Sequence, residues 1–132
     1  REKSEPFWMN VAQSVSRGER IVLGTQNAQG TLVGTVQLII EQPENQPHRA
    51  DVAKLLVHPS ARRGGLAREL MNELESCARQ QGKTLLVLDT ATGSGAELFY
   101  HNCGWKKVGV IPDYAQMPDG TLTGTTLFYK TL

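Results

Sequence analysis

Residues 57–68 of this chain read Val-His-Pro-Ser-Ala-Arg-Arg-Gly-Gly-Leu-Ala-Arg. The stretch follows an apolar run that begins at Val52, and it leads into an amphipathic segment that continues to Gln81. This order predicts a strand, a short basic turn and a helix, because the apolar residues after the turn recur at helical spacing. The first amides of a helix have no intrahelical acceptor, and the helix dipole adds partial positive charge at the same end. We therefore interpret the turn as a binding site for a pyrophosphate group.

The side chains of the turn favour this interpretation. Arg62, Arg63 and Arg68 present forked donors that suit phosphate oxygens. Gly64 and Gly65 have no side chain to hold a ligand away from the backbone amides. The alternative is a turn that only begins a helix and carries solvated arginines. The turn is neither a Walker loop nor a dinucleotide fingerprint, because it lacks both Gly-Lys-Ser/Thr and Gly-x-Gly-x-x-Gly.

The turn and a second motif together resemble the signature of the GNAT N-acetyltransferase superfamily. The two motifs are Arg62-x-x-Gly65-x-Ala67, preceded by Val57-x-Pro59, and Ala96-x-x-Phe99-Tyr100-x-x-x-Gly104-Trp105. The resemblance implies an α/β or α+β fold with a mixed central sheet flanked by helices. It also implies that acetyl-CoA is the co-substrate and that no metal takes part.

The resemblance assigns cofactor-binding residues to the turn and to the strand before it. They are Leu56, Val57, Arg62, Arg63, Gly64, Gly65, Leu66, Ala67 and Arg68. The backbone of Leu56 and Val57 is expected to pair with the pantetheine arm, provided that the third and fourth strands of the sheet splay apart. A bulge near residues 55–57 would cause that splay.

Four further blocks resemble the tabtoxin-resistance acetyltransferase branch of this superfamily. They are Asp51-Val-Ala-Lys-Leu, Leu88-Asp-Thr, Pro118-Asp-Gly-x-Leu and Phe128-Tyr-Lys-Thr-Leu132. This finer resemblance implies a small amino-bearing toxin, antibiotic or metabolite as the acetyl acceptor. The chain departs from the common family pattern in two places. Arg63 and Gly64 exchange the usual order of glycine and basic residue, and Gly93 stands where an asparagine is frequent.

Asp51 is the first candidate for a catalytic base, because some members of the family carry a glutamate at this place. It lies eleven residues before Arg62, near the start of the predicted third strand. Strand alternation predicts that it shares one face with Ala53, Leu55 and Val57. The alternative interpretation is a solvated residue or an ion-pair partner of Arg49.

Asp89 and Tyr100 complete the predicted catalytic residues. Asp89 ends an apolar strand, where α/β sheets commonly bind ligands; the alternative is that it closes the turn that follows. The resemblance makes Tyr100 the acid that serves the departing CoA sulfur, whereas packing in the core is its structural alternative. Both aspartates together would attract a cationic amine.

The element order predicts one domain, residues 1–132. We expect a helix over residues 6–16, strands over 20–25, 31–41 and 49–57, and the main helix over 64–81. After that helix we expect a strand over 84–89, a helix over 94–102 and a strand over 105–111. A loop over 112–120 and a strand over 123–132 complete the order. The chain begins at Arg1, so the strand and helix that usually come first in the family are expected to be missing.

The composition of the chain disfavours several classes of binding partner. The chain has 132 residues, 39% of them hydrophobic, and a net charge of +1, which disfavours nucleic acid and membrane surfaces. The three histidines are scattered, which argues against a metal site, and the two cysteines are expected to be free thiols in the cytoplasm. Dimers are common in the family, but the sequence specifies no contact surface. Two other functions stay open: an acetyltransferase that acts on protein amines, and a CoA-binding module without catalysis.

Overall fold

The computed structural model describes residues 7–8, 12–13, 20–59 and 65–132. The described strands are β1 (Phe7–Trp8), β2 (Ala12–Gln13), β3 (Arg20–Gln26), β4 (Leu32–Ile39), β5 (Arg49–Val57), β6 (Leu85–Ala91), β7 (Lys106–Gln116) and β8 (Leu122–Thr131). The described helices are α1 (Leu66–Gln80) and α2 (Ala96–Asn102). The strands and helices predicted after residue 20 are therefore present, with ends that differ by a few residues.

All described strands belong to one mixed sheet in the order β1-β3-β4-β5-β6-β8-β7, with β2 also pairing with β3. β5 and β6 run parallel, and every other described pair is antiparallel. A parallel pair needs a crossover connection, and α1 supplies it between β5 and β6. The predicted mixed α+β sheet is confirmed.

Both helices pack on the same face of the sheet, which we call the helix face. The apolar stripe of α1 that the sequence predicts is buried there, and Leu70, Met71 and Leu74 have no exposed surface. From α2, Tyr100 joins the same core through ring contacts with Trp105 and with Phe128 of β8. One hydrophobic core therefore joins α1, α2 and the sheet.

Two predicted elements are wrong. Phe7–Trp8 and Ala12–Gln13 form strands along β3 and not a helix, because an edge strand offers unpaired amides and carbonyls to any neighbouring segment. The rest of the predicted helix lies outside the described residues. The predicted loop 112–120 is also too long: β7 continues to Gln116 through a bulge. Pro112 is tolerated there because β7 is an edge strand.

A buried lysine fixes the loop that connects β4 to β5. The ammonium of Lys83 donates to the carbonyl of Ile40 at 3.0 Å and to that of Pro47 at 2.8 Å. Burial lowers the pKa of Lys83, because the interior disfavours its charged form. The loop held in this way carries Gln42, which contacts a site residue described below.

Candidate active site

β5 and β6 separate at the place where the site forms. Their pairing consists of Arg49↔Leu85, Ala50↔Leu86 and Asp51↔Val87. Beyond these pairs β5 continues to Val57 and β6 to Ala91 without pairing to each other. The splay between the third and fourth predicted strands is confirmed.

A bulge at Lys54 accompanies this separation. The register with β4 passes from Gln37↔Ala53 to Thr35↔Leu56, so that two residues of β5, Lys54 and Leu55, lie opposite one residue of β4. Lys54 has a φ of 58°, in the left-handed region that a lysine rarely adopts. Such a bulge bends the strand and increases its local twist.

The bulge also changes which face each side chain occupies. Before it, Val52 is buried on the helix face; after it, Leu55 and Val57 pack on that face. Asp51 and Ala53 lie on the opposite face of the sheet. The prediction that Asp51 shares a face with Leu55 and Val57 is therefore wrong, because the extra residue reverses the alternation.

A cavity of about 730 Å³ lies where β5 leaves β6. Its described lining comes from the end of β5, the start of α1 and the start of α2: Leu55, Leu56, Val57, Gly65, Leu66, Ala67, Arg68, Ser94, Gly95, Ala96 and Phe99. Leu55 lies on the helix face, whereas the next residue, Leu56, is exposed. The volume falls in the range of ligand pockets, roughly 300–1,000 Å³.

The N-terminus of α1 gives this cavity its polar end. Gly65 is the N-cap, with a φ of 79°, and no side chain caps the helix. The first helical hydrogen bond of α1 runs from the amide of Glu69 to the carbonyl of Gly65, at 3.0 Å. The helix therefore offers no acceptor to the amides of residues 66–68, all of which line the cavity. These donors and the helix dipole suit an anionic group.

Six of the nine predicted cofactor-binding residues meet at this cavity. They are Leu56, Val57, Gly65, Leu66, Ala67 and Arg68. Arg62, Arg63 and Gly64 lie outside the described residues. Arg68 also donates to the carbonyl of Asn102 at 3.0 Å, and this contact ties the start of α1 to the end of α2. Five other lining residues were not predicted to bind the cofactor: Leu55, Ser94, Gly95, Ala96 and Phe99. For the three at the start of α2, the Gly93-Ser94-Gly95 turn before the helix was the available sequence signal.

The two predicted aspartates lie near each other on the face opposite the helices. Asp51 is beside Val87 in the register, and Asp89 follows two residues later in β6. Asp51 forms an ion pair with Arg49 at 2.5 Å and accepts a hydrogen bond from Gln42 at 3.3 Å. Asp89 is exposed and accepts a hydrogen bond from the hydroxyl of Thr125 at 2.6 Å. Neither aspartate belongs to the described lining of the cavity.

Tyr100 lies in the core beneath the cavity. It is 8% exposed, and its ring packs at centroid distances of 5.3 Å from Phe99, 6.1 Å from Trp105 and 5.7 Å from Phe128. Burial, with a smaller contribution from Cys103, raises the pKa of the Tyr100 phenol. The phenol therefore keeps its proton at neutral pH. Its neighbour Phe99 lines the cavity.

Glu97 holds the start of α2 against the sheet. Its carboxylate accepts hydrogen bonds from the amide of Gly93 at 3.0 Å and from the hydroxyl of Thr126 at 3.2 Å. These bonds, the Gly93 amide first, lower the pKa of Glu97, and Lys107 at 3.8 Å adds to the effect. The start of α2 in turn supplies the cavity wall at Gly95 and Ala96.

Across residues 20–59 and 65–132, no three His, Cys, Asp or Glu side chains are grouped to hold a metal ion. Neither α1 nor α2, the helices of the described segments, is long and apolar enough to cross a bilayer.

Comparison with known proteins agrees with this geometry. The model of the acetyltransferase (GNAT) family matches residues 2–105. A ribosomal-protein-alanine N-acetyltransferase from Brucella melitensis superposes with a TM-score of 0.77 at 25% identity, covering 88% of this chain and 71% of that one. A putative acetyltransferase from Salmonella typhimurium, solved with its cofactor acetyl-CoA, superposes with a TM-score of 0.76 at 21% identity. The match covers 86% of this chain and 65% of that one.

An aminoglycoside 6'-N-acetyltransferase complexed with coenzyme A gives a TM-score of 0.71 at 22% identity, covering 86% of this chain and 73% of that one. The chain thus spans roughly two thirds to three quarters of the length of these structures. The family model covers well over half of the chain. The chain therefore belongs to the GNAT family of acetyltransferases.

Proposed function

We propose that this chain transfers the acetyl group of acetyl-CoA to a primary amine of a small molecule, by direct transfer in a ternary complex. The observation that carries the proposal is the cavity at the separation of β5 and β6, with the amides of residues 66–68, to which α1 offers no acceptor, at one end. An anionic group at those amides and an extended arm beside β5 match the two ends of acetyl-CoA.

The cofactor-binding roles follow from this arrangement. The amides of residues 66–68 would donate to the pyrophosphate, and Gly65 would allow its close approach because it has no side chain. Arg62 and Arg63 are proposed to add charge to the same group. The backbone of Leu56 and Val57 would hydrogen-bond to the pantetheine arm, in the gap that β6 leaves open.

The catalytic roles are also proposals. An alkylammonium has a pKa near 10.4, so only about one molecule in a thousand is ready to attack at neutral pH. Asp51 or Asp89 would assist in removing the proton, directly or through a water. Tyr100 would donate to the departing sulfur, and its raised pKa keeps the required proton in place. No metal enters this scheme.

The acceptor is proposed to be a toxin, antibiotic or metabolite amine. Support comes from the resemblance of residues 49–132 to the tabtoxin-resistance branch and from the similarity to an aminoglycoside acetyltransferase. The similarity to a ribosomal-protein-alanine acetyltransferase favours a second candidate, acetylation of a protein N-terminus. A reducing compartment such as the cytoplasm is expected, because both Cys77 and Cys103 are free thiols.

Thiol release from acetyl-CoA tests the proposal. The panel would contain amino acids, aminoglycosides, polyamines and peptides with free N-termini. Turnover with a small amine and none with peptides supports the first candidate, and the reverse result supports the second. Binding of acetyl-CoA without turnover of any amine would mean that the chain only binds the cofactor, and the proposed activity would be wrong.

A further inference from the structure

The two aspartates on the face opposite the helices have different partners. Asp51 lies in a closed network, because Arg49 contacts Asp51 and Gln42, and Gln42 contacts Asp51 in turn. The positive charge of Arg49 compensates the charge of Asp51. A cationic acceptor gains little from a carboxylate that already has an ion-pair partner.

Asp89 has no such compensation within the described residues. Its hydrogen-bond partner there is the hydroxyl of Thr125, which donates to Oδ2 at 2.6 Å, and no described cation pairs with it. The contact uses one carboxylate oxygen and leaves Oδ1 available. Asp89 also lies near the end of β6, past the point at which β5 and β6 separate.

The position of Thr125 favours one orientation of the Asp89 carboxylate. It is 3% exposed, and it lies on β8 opposite Ala91 of β6, diagonally from Asp89. Its β-branched side chain has few rotamers, so the hydroxyl position is fixed by the strand. The hydroxyl also lies 3.2 Å from the carbonyl of Thr90, but its single proton favours the shorter contact to a charged acceptor.

We infer that Thr125 is a positioning residue for acceptor binding: it fixes Asp89 so that Oδ1 receives the ammonium group of the acceptor. The inference rests on the proposed function, and it deepens that function by assigning the acceptor contact to Asp89 in preference to Asp51. Thr125 itself does not touch the acceptor. Its effect passes through the orientation of the Asp89 carboxylate.

The test separates the Michaelis constant for the amine from that for acetyl-CoA. Thr125→Val removes the hydroxyl and keeps the shape of the side chain, whereas Thr125→Ser keeps the hydroxyl. Thr123→Val is the matched control, because Thr123 lies two residues away on β8 and makes no side-chain hydrogen bond among the described residues. The acceptor is whichever of spermidine, kanamycin and an alanine-terminated peptide the wild-type chain acetylates fastest.

Thr125→Val should raise the Michaelis constant for the amine about tenfold, because it removes a hydrogen bond to a charged group. Thr125→Ser and Thr123→Val should stay within about twofold of wild type, as should the constant for acetyl-CoA in every variant. Asp89→Asn and the double variant with Thr125→Val should have equal constants for the amine, because the two residues act as one unit.

Three outcomes overturn the inference. An unchanged amine constant in Thr125→Val refutes it and leaves the proposed function intact. A change in the acetyl-CoA constant or in thermal stability, with no selective effect on the amine, assigns Thr125 a purely structural role. If the wild-type chain acetylates none of these amines, both the proposed function and this inference are contradicted.

Discussion

The Cδ1 methyl of Leu70 lies 2.8 Å from the position that a β-carbon on Gly34 would take. Leu66, one turn earlier on α1, lies 3.3 Å from the same position. The missing side chain of Gly34 therefore lets the first turns of α1 pack directly on β4. Leu66, which takes part in this contact, also lines the cavity.

Gly34→Ala is expected to destabilise the fold by about 1–3 kcal/mol, because the added methyl enters a closely packed core. Leu70 has no exposed surface, so its displaced methyl group would have to move within the core. Affinity for CoA should fall as well, since α1 has to move. Gly109→Ala is the matched control: it is also a strand glycine, but nothing lies within 4 Å of the added atom. Urea unfolding of both variants measures the difference, and equal stability would contradict the close-packing argument.

Tyr100→Phe is expected to slow turnover about a hundredfold or more if the phenol serves the sulfur as a general acid. Stability should change little, because phenylalanine keeps the ring contacts with Trp105 and Phe128. Steady-state kinetics and thermal unfolding measure the two quantities. Tyr114→Phe, which removes an exposed hydroxyl on β7, controls for the substitution itself. A lowered unfolding temperature with an unchanged turnover number would instead show that Tyr100 acts only in packing.

Glu97→Gln is expected to change how the free energy of unfolding depends on pH in the acidic range. The folded-state pKa of Glu97 is lowered from 4.5, so its ionised form stabilises the fold fully above that pH. This contribution is lost as the pH falls through the lowered pKa. The unfolding free energies of wild type and Glu97→Gln should therefore converge in acid and separate again near neutral pH. Glu73→Gln, on the exposed side of α1, controls for the loss of one charge. A constant difference at all pH values would contradict the assignment.

Lys83→Met is expected to destabilise the fold at neutral pH by about 1–3 kcal/mol, because two carbonyls lose their donor. Its pH dependence has the same sign as that of Glu97, but it falls in a more alkaline range. Burial lowers the pKa of Lys83 below 10.5, so the cost of burying its charge is present at neutral pH and disappears as the pH rises toward 10.5. The advantage of wild type over Lys83→Met should therefore increase in alkali. Lys106→Met, at an exposed position on β7, is the control, and a difference that shrinks with rising pH would oppose this account.

Much of the fold could be predicted because the sequence patterns that indicate each helix or strand lie within that segment of the chain. The apolar positions of α1 recur at helical spacing, and Gly82 ends the helix with a φ of 78°. The turn before α1 carries the family motif, and the cavity lies at the same end of β5. The strand at residues 49–57 and the helix at 96–102 likewise lie within the predicted segments.

The rest depends on contacts between distant segments. No glycine or proline marks the bulge at Lys54, which lies where β5 stays paired with β4 but no longer pairs with β6. The face occupied by Asp51 could not be predicted without that bulge. Similarly, the sequence predicts a helix over residues 6–16, but the free edge of β3 pairs with residues 7–8 and 12–13.

Calorimetric titration of the chain with coenzyme A tests most directly whether the cavity between β5, α1 and α2 binds the cofactor. We expect binding at one site per chain. The double variant Arg62→Ala, Arg63→Ala should weaken that binding at least about tenfold, because charged contacts to a phosphate are lost. If no heat of binding is observed for the wild-type chain, or if the double variant binds as tightly as wild type, the assignment of the pyrophosphate to the start of α1 is contradicted.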